Sequence, residues 1–459
     1  MTDSRGQAST RIKIGWAVGE LGVATFVGLT MIYMLFFLTQ ALRMPPMLAG
    51  IALLIPRLWD VMIDPLIGTA SDRTRTRVGR RRPFLLAGGL TFGALFALIF
   101  FVDESAATAT KFIYVTAFYI LSSTAYSIFD VPYSAMAAEI TTDYRGRTEL
   151  TGYKMIAARI GIVLSVTVGP LLFTSQATLA TGFRLLGIVS GAFMTATCLV
   201  AFWATRDAPH FEGPMHQFNA REEIEAVVRN RPFRILWTVF LLQNLAIGAS
   251  ATTLVYLITI VMRADAKVVG PLIATSAVVA LLATPLWVFI SKCAGKRAGY
   301  FCGIALTATM TLPALIIQPD YYMVLFLILA IAGFGDAANQ LFPNSMIPDT
   351  VEVDEARTGL RREGAIFGAW SFCRKLGMAA GAFLVSTGLW SVGFVSGSGA
   401  AQSPEAIHGI RVIYCVLPLI LWLGALLTLR YYDLTEDRFD AIKSQLAVQR
   451  NSTAAAKDC

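Results

Sequence analysis

Apolar runs long enough to cross a membrane recur from one end of this chain to the other, and they constrain its fold more than any other feature. A helix of about 20 apolar residues spans the hydrocarbon core of a bilayer. Of the 459 residues, 56% are hydrophobic and only 15% are charged, whereas soluble domains carry roughly 25% charged residues. A soluble fold of this length has nowhere to bury so much apolar surface. The sequence therefore predicts an all-α protein that lies in a bilayer.

Twelve transmembrane helices are predicted from these runs. They cover residues 14–42, 46–70, 83–102, 112–140, 150–174, 180–204, 232–262, 267–290, 299–317, 321–347, 364–394 and 408–429. Because the number is even, both termini are expected on the same side of the membrane.

The distribution of basic residues predicts which side that is. The loops and tails on the side of the termini carry 27 Lys and Arg, and the opposite loops carry 6. In membrane proteins the excess of Lys and Arg lies in the cytoplasm. We therefore predict a plasma (inner) membrane protein with both termini cytoplasmic. The same bias accounts for the net charge of +8 without a nucleic-acid partner, and none is expected.

The longest polar stretch between spans divides the chain into two halves. We predict an N-terminal six-helix bundle over 1–205, a cytoplasmic linker over 206–231, a C-terminal six-helix bundle over 232–432 and a cytoplasmic tail over 433–459. Within the linker, Ala220–Asn230 is interpreted as a short amphipathic helix on the membrane or as a charged connection. This is the layout of the major facilitator superfamily.

Two loops at equivalent positions of the halves combine glycine with a basic cluster. The loop after the second span reads SDRTRTRVGRRRPF (71–84), and the loop after the eighth reads SKCAGKRAG (291–299). The first resembles the D-R-x-G-R-R/K motif of the superfamily, in which a tight glycine turn joins two helices and arginine holds helix ends together. A generic positive-inside loop is the alternative, and for the second loop both interpretations stay open.

Ionisable side chains inside the spans are the candidate functional residues, because each costs several kcal/mol to place in hydrocarbon. Those taken as candidates are Glu20, Arg57, Asp60, Asp64, Asp130, Lys154, Arg159, Asp336, Arg374 and Lys375. Seven of the ten fall in the N-terminal half. A functional site biased toward that half is predicted.

Asp60 and Asp64 are the sharpest local feature. They are four residues apart and share one face of a helix. Two carboxylates close together in a low dielectric cannot both ionise cheaply, so they favour sharing a proton or a cation. The pair predicts a site for a coupling ion. The alternative is a structural pair neutralised by Arg57, three residues before Asp60.

The fourth span carries a second polar group. Ser127 lies three residues before Asp130 on the same helical face, and Pro132 frees a backbone carbonyl in mid-span. A broken helix that presents oxygens beside a carboxylate is a usual way to build an ion or substrate site at membrane depth. A simple proline kink is the alternative.

Lys375 in the eleventh span has few carboxylates in its own half besides Asp336. It is therefore predicted to close a charge network with Asp60, Asp64 and Asp130. The alternative is that its side chain snorkels to an interface.

Together these motifs resemble the glycoside–pentoside–hexuronide:cation symporter family, of which the melibiose permease is the best-known member. The matches are R-x-W-D-x-x-x-D-P (57–65), D-x-P (130–132), PDTVEVDEARTGLRREG (348–364), Lys375 and YYDLTEDR (431–438). They cover both halves and occur in family order.

The resemblance implies roles for individual residues. Asp60 and Asp64 match the carboxylates of the cation site, Ser127 a hydroxyl ligand, Asp130 a carboxylate used for sugar and cation, and Lys375 the lysine of the charge network. The residues expected to bind substrate are Glu20, Asp130, Lys154, Arg159, Gln340 and Lys375.

Three positions depart from the family pattern. Ala24 stands where a carboxylate of the first span binds sugar hydroxyls, and Glu20, one turn earlier, substitutes for it only in part. Ser134 replaces a tryptophan in the fourth span. Ile63 replaces an amide just before Asp64. The coupling residues are retained, while the galactoside pocket is not.

We therefore expect a cation-coupled symporter of a sugar, glycoside or related small organic solute, working by alternating access as a monomer without a cofactor. A proton is favoured over sodium as the coupling ion, and the only metal considered is sodium at Asp60 and Asp64. A lysolipid-like amphiphile or an organic anion is the alternative substrate. An enzyme is not expected, because the sequence has neither a Walker loop nor an HExxH motif. A non-transporting sensor is a further alternative.

Overall fold

The computed structural model describes residues 9–76, 78–140, 144–206, 228–358, 362–399, 401–434, 438–439, 441–442 and 444. Within these residues the secondary structure is helical, and no strand occurs. Most of the predicted linker, including residues 220–227 of its proposed amphipathic helix, lies outside the described residues, as does most of the predicted tail.

The helices agree closely with the apolar runs. In the N-terminal half they are α1 (Thr10–Ile32), α2 (Pro46–Arg73), α3 (Arg82–Leu98), α4 (Thr108–Ile140), α5 (Tyr144–Phe173) and α6 (Leu179–Ala204). In the C-terminal half they are α7 (Arg231–Tyr256), α8 (Val269–Met310), α9 (Val324–Thr358), α10 (Glu363–Ser391) and α11 (Pro404–Leu429).

Ten helices among the described residues are long and apolar enough to cross a membrane. One of them contains α8, which is interrupted at Gly295, where the backbone has φ 78° and ψ 162°. The predicted eighth and ninth spans lie on the two sides of this break. Helix α10, which covers the predicted eleventh span, is not among the ten.

Helix α4 does not break at Pro132 as the sequence suggested. It runs continuously from Thr108 to Ile140 with the proline inside it. A proline removes only one backbone hydrogen bond of a helix, and packing against neighbouring helices compensates for that loss in a membrane protein. The polar side chains of α4 therefore lie on one continuous helical face.

The chain divides into two compact units. Unit 1 comprises the described parts of 1–215, 251–274 and 382–411, and unit 2 those of 216–250, 275–381 and 412–459. Unit 1 has an aromatic core in which Phe26 contacts rings of α3 and α4, among them Phe92 at 5.1 Å and Tyr126 at 5.1 Å. In unit 2, Phe240 stacks on Trp370 with ring centroids 3.7 Å apart.

The first helix of each half ends in the same unusual way. A π-helical turn covers Phe37–Ala41 after α1, and another covers Leu257–Val261 after α7. Each turn is followed by an arginine in the left-handed region, Arg43 (φ 56°) and Arg263 (φ 51°). Such backbone is strained for a residue other than glycine. Both turns belong to unit 1, and together they form a structural repeat of the halves.

These helix ends pack closely within unit 1. The hydroxyls of Thr39 and Tyr256 are 2.7 Å apart, and the Tyr256 ring contacts Phe36 and Phe394, each at 5.6 Å between centroids. Ser396 Oγ donates to the Met44 carbonyl at 2.7 Å. This end of unit 1 is therefore closed by hydrogen bonds and aromatic contacts.

The first basic loop forms the arginine network predicted from its motif. The turn is made at Gly79, whose φ of 102° suits glycine. Arg80 Nε donates to Glu139 Oε1 of α4 at 2.7 Å, and Arg81 lies 3.0 Å from Asp72 and 3.4 Å from Glu139. Arg82 donates to the Phe202 carbonyl at 3.3 Å. The loop thus holds the ends of α2, α3, α4 and α6 together.

The second loop is built in an equivalent way, which favours the motif over a generic basic loop. Its turn is made at Gly295, and Lys296 Nζ pairs with Asp349 of α9 at 2.6 Å. Arg297 donates to the Arg430 carbonyl after α11 at 2.7 Å. A basic residue after a left-handed glycine therefore contacts a carboxylate near the end of a later helix in both halves.

Candidate substrate and cation site

The deepest charged cluster of unit 1 is centred on Asp60. This carboxylate is fully buried. Its Oδ1 accepts a hydrogen bond from Ser123 Oγ at 2.6 Å, and its Oδ2 lies 3.3 Å from Arg57 Nη1. The alternative considered for Asp60, neutralisation by Arg57 one turn earlier, is therefore present in the structure.

Arg57 is held in an aromatic and polar pocket. Its Nη2 donates to Thr30 Oγ1 at 3.2 Å. Its guanidinium lies 5.5 Å from the centre of the Phe26 ring and 5.7 Å from that of Tyr119. A cation over aromatic faces is attracted by their quadrupole, most strongly where water is excluded. The pocket thus fixes the position of the charge that faces Asp60.

A second cluster is centred on Asp130 and Lys154. Tyr126 OH donates to Asp130 Oδ2 at 3.2 Å, and Ser134 Oγ lies 3.5 Å from Asp130 Oδ1. Lys154 Nζ donates to Ser134 Oγ at 2.8 Å and pairs with Glu20 Oε2 at 3.4 Å. The structure therefore brings together Glu20, Asp130 and Lys154, which the sequence had placed on three different helices.

Lys154 is partly exposed, as are Asp130 and Ser134 of the same cluster. Its side chain is 26% exposed, against 12% for Glu20. The ammonium lies 5.8 Å from the centre of the Trp16 ring and 5.2 Å from that of Tyr133. The rings restrict the lysine, and its exposed part leaves an ammonium available for an anionic or hydroxyl-bearing ligand.

Tyr126 connects the two clusters. Its hydroxyl contacts Asp130, and its ring stacks on Phe26 at 5.1 Å. Phe26 is also the ring beneath Arg57. Tyr126 and Phe26 thus form a continuous packed path between Asp130 and Arg57.

A polar stripe on α4 explains why these residues meet. Ser123, Tyr126, Ser127, Asp130 and Ser134 each lie three or four residues from another member of the set, so they share one helical face. The face is directed at α2 in the deep cluster and at α1 and α5 in the second. Ser123, Tyr126 and the contact made by Ser134 were not predicted, although their helical spacing is visible in the sequence.

The other predicted cation ligands are Ser127, which belongs to this stripe, and Asp64 of α2. Ser127 is fully buried, and its Oγ has no hydrogen-bond partner among the described residues. A buried hydroxyl is normally satisfied, so this atom fits a ligand oxygen. Asp64 is half-buried on α2, one turn after Asp60. Their joint use as a cation site stays a prediction.

Three further residues were predicted to bind substrate, one in unit 1 and two in unit 2. Arg159 is exposed on α5, Gln340 is exposed on α9, and Lys375 is half-buried on α10 in unit 2. The neutral amides near Gln340 are structural, because Gln243 Nε2 donates to the Asn339 carbonyl at 3.1 Å and Tyr300 OH donates to Gln243 Oε1 at 2.7 Å.

Comparison with known proteins identifies the class to which this fold and site belong. A family model described as MFS/sugar transport protein matches residues 15–436. The chain belongs to this family, which makes it a multi-pass membrane transporter for a small molecule and not an enzyme. The resemblance to glycoside–pentoside–hexuronide:cation symporters is thereby confirmed.

Curated relatives match over nearly the whole chain. A protein named putative glycoside/cation symporter from Escherichia coli (strain K12) is 28% identical over 465 residues, covering 98% of this chain and 97% of the relative. A protein named putative sulfoquinovose importer from the same organism is 27% identical over 460 residues, covering 98% and 96%. A glucuronide carrier protein homolog, also from Escherichia coli (strain K12), is 25% identical, covering 95% of each chain.

Solved structures support the fold. A bacterial homologue of the human lysosomal transporter Spinster, crystallised in an inward-facing and unoccupied conformation, superposes with a TM-score of 0.68 at 13% identity. The match covers 96% of this chain and 98% of that chain. The likeness extends to the fold alone.

Proposed function

We propose that this protein is a cation-coupled symporter of a sugar, glycoside or related small organic solute that works by alternating access. The observation that carries the proposal is the pair of charged clusters linked by Tyr126. One cluster holds a buried carboxylate with its counterion, and the other presents Lys154 beside Asp130. Relatives named as a putative glycoside/cation symporter, a putative sulfoquinovose importer and a glucuronide carrier protein homolog support the assignment. The cation would bind at the cluster around Asp60, and the solute would bind at the cluster around Lys154.

The proposed topology has twelve spans in two halves, with both termini and the linker in the cytoplasm of an inner-membrane protein that acts as a monomer. Counting α8 as two spans divided at Gly295, and adding α10, brings the ten apolar helices to twelve. The equivalent loops at Gly79 and Gly295 support the same division. The excess of basic residues on the side of the termini supports their orientation.

Reporter fusions test this topology. A fusion at Ser105 or at Gly399 should report the non-cytoplasmic side, since each follows an odd number of proposed spans. Fusions within the linker and after residue 440 should report the cytoplasm. A cytoplasmic signal from the Ser105 or the Gly399 fusion would contradict the twelve-span proposal.

The closed end of unit 1 supports alternating access with closure on the non-cytoplasmic side. In the proposed topology, the π-helical turns after α1 and α7 and the contact between Thr39 and Tyr256 lie on that side. π-helical turns are frequent at functional sites, and the strained arginines that follow them store free energy. We propose that this pair of turns is the outer gate.

The substrate class that best suits the second cluster is a sugar with an acidic group. The Lys154 ammonium supplies a cation for a carboxylate or sulfonate, and Glu20 and Asp130 accept hydrogen bonds from hydroxyls. Arg159, Gln340 and Lys375 stay proposed contributors. A lysolipid-like amphiphile or another organic anion is the alternative, favoured by Ala24 in place of a sugar-binding carboxylate.

Uptake into proteoliposomes tests both the activity and the substrate class. We expect accumulation of a glucuronide or sulfoquinovose in preference to a neutral glycoside. Lys154→Gln should raise KM for the acidic sugar about tenfold or more, because a charge-assisted hydrogen bond contributes roughly 1.5–3 kcal/mol, and Lys154→Arg should restore part of it. Lys292→Gln, at an exposed lysine of α8, is the matched control. Equal KM values for the Lys154 and Lys292 variants would refute the assigned role, and no uptake of any solute would refute the symporter.

A further inference from the structure

A groove outside the transport site lies in unit 2 between the start of α7 and the end of α11. It has a volume of about 450 Å³. Its lining residues are Arg231, Arg234, Ile235, Thr238, Thr428 and Tyr431. Arg231 is the first residue of α7, and Tyr431 follows the last residue of α11 by two positions. The groove therefore lies where two membrane helices reach the level of lipid headgroups.

The charge of this groove is positive. The Arg231 side chain is 65% exposed and lies 4.0 Å from Asp433, whose same oxygen pairs with Arg438 at 2.7 Å. Burial alone would raise the pKa of Asp433, but the hydrogen bond and charge of Arg438, together with Arg231, lower it below its ordinary value. Arg234 is exposed, and no carboxylate lies within 4.0 Å of it among the described residues. One carboxylate thus balances only part of the charge of three guanidinium groups.

An apolar ridge leads from the groove along α11. Ile420, Leu423, Leu427 and Tyr431 are spaced by three or four residues and are 61%, 46%, 57% and 69% exposed. Further into the membrane, Leu242 of α7 packs against Gly424 of α11, so the two helices are in contact there. The groove is closed at its inner end and open sideways to the bilayer.

An anion in this groove would be bound by side chains and not by the backbone N–H groups at the start of α7. The first turn of α7 is already capped, since Asn230 Oδ1 accepts from the Phe233 backbone at 3.1 Å. Guanidinium groups match phosphate oxygens with paired hydrogen bonds, and the Thr238, Thr428 and Tyr431 hydroxyls add donors. Basic pockets between membrane helices on the cytoplasmic side suit anionic headgroups.

We propose that this groove is a binding site for an anionic phospholipid of the leaflet on the side of the termini. The phosphate lies between Arg231 and Arg234, and an acyl chain lies on the ridge of α11. The apolar ridge favours a lipid over free phosphate as the ligand, because a soluble anion has no acyl chain to pack against it. The site is separate from the two clusters of unit 1 and does not depend on the proposed substrate.

Native mass spectrometry of the purified full chain tests the site. The protein in detergent is titrated with phosphatidylglycerol and, separately, with phosphatidylcholine, and the bound lipid is counted. Arg231→Gln/Arg234→Gln should weaken phosphatidylglycerol binding by about tenfold for each arginine. Arg430→Gln is the matched control, since Arg430 is an exposed arginine at the same helix end that does not line the groove.

Conservative variants and a competing anion sharpen the test. Arg231→Lys/Arg234→Lys should retain more binding than the glutamine pair, and the melting temperature of each variant shows whether it folds. Should the double variant not fold, Arg234→Gln alone should still weaken binding. Equal binding by wild type, the Arg234 variant and the Arg430 control would overturn the proposal. So would displacement of the lipid by millimolar inorganic phosphate as effectively as by phosphatidylglycerol.

Discussion

Arg57→Ala is expected to destabilise the protein by about 3–5 kcal/mol, the usual cost of removing one partner from a buried ion pair. The variant keeps the hydrogen bond from Ser123 to Asp60 but loses the cation that faces the carboxylate in an aromatic pocket. We expect transport to fall to the level of protein-free vesicles. Thermal or denaturant unfolding of the purified protein measures the first effect, and uptake measures the second.

An exposed pair provides the control for this prediction. Lys267 and Asp265 lie 3.6 Å apart with side chains 47% and 54% exposed. Lys267→Ala should cost no more than about 1 kcal/mol, because solvent screens such pairs. The double variant Arg57→Ala/Asp60→Asn should regain most of the stability lost by Arg57→Ala, since no buried charge is then left uncompensated. If Arg57→Ala melts like Lys267→Ala, the pair has no structural role.

The positions of the helices were predictable because a membrane-spanning helix requires a long run of apolar residues, which is easily recognised in a sequence. Runs of apolar residues set their lengths, and the observed ends mostly agree within a few residues. The continuity of α4 through Pro132 was not predictable. Whether a proline breaks a helix depends on what packs around it, and that is a tertiary property.

The site was predictable in its residues and less so in its pairings. The cost of burying a charge singled out Asp60, Asp130, Lys154 and Glu20, and the structure brings the last three into one cluster. Spacing alone linked Asp60 with Asp64 and also with Arg57. Which partner faces a carboxylate depends on side-chain direction and on neighbours such as Ser123, which belongs to another helix.

Neutral groups were harder to find than charged ones. Burying Thr30, Tyr119 or Ser123 costs much less than burying a charge. Such residues are also common in this sequence, so nothing marked these three as part of the site. The π-helical repeat after α1 and α7 left only a weak trace, a threonine and an arginine at matching positions of otherwise different segments. Backbone conformation of this kind follows from local packing and has no strong compositional signature.

We propose that the coupling ion is a proton. Sodium needs several hard oxygen ligands, and the position where the family supplies an amide oxygen is Ile63 here. Asp60 already directs its two oxygens at Arg57 and Ser123. We propose Asp64, one turn away and half-buried, as the carboxylate that carries the proton. Ser127 and Asp130 are the groups that could still complete a sodium site.

Imposing one gradient at a time on proteoliposomes distinguishes the two ions. An inwardly directed proton gradient alone should drive solute accumulation, while a sodium gradient at equal pH should not. Asp64→Asn should reduce gradient-driven accumulation to the level of protein-free vesicles and still permit exchange of solute across the membrane, because it removes the proton carrier but not the second cluster. Asp103→Asn, at an exposed loop carboxylate, is the control and should accumulate solute like the wild type. Accumulation that follows sodium and ignores the pH gradient would assign the site to sodium instead.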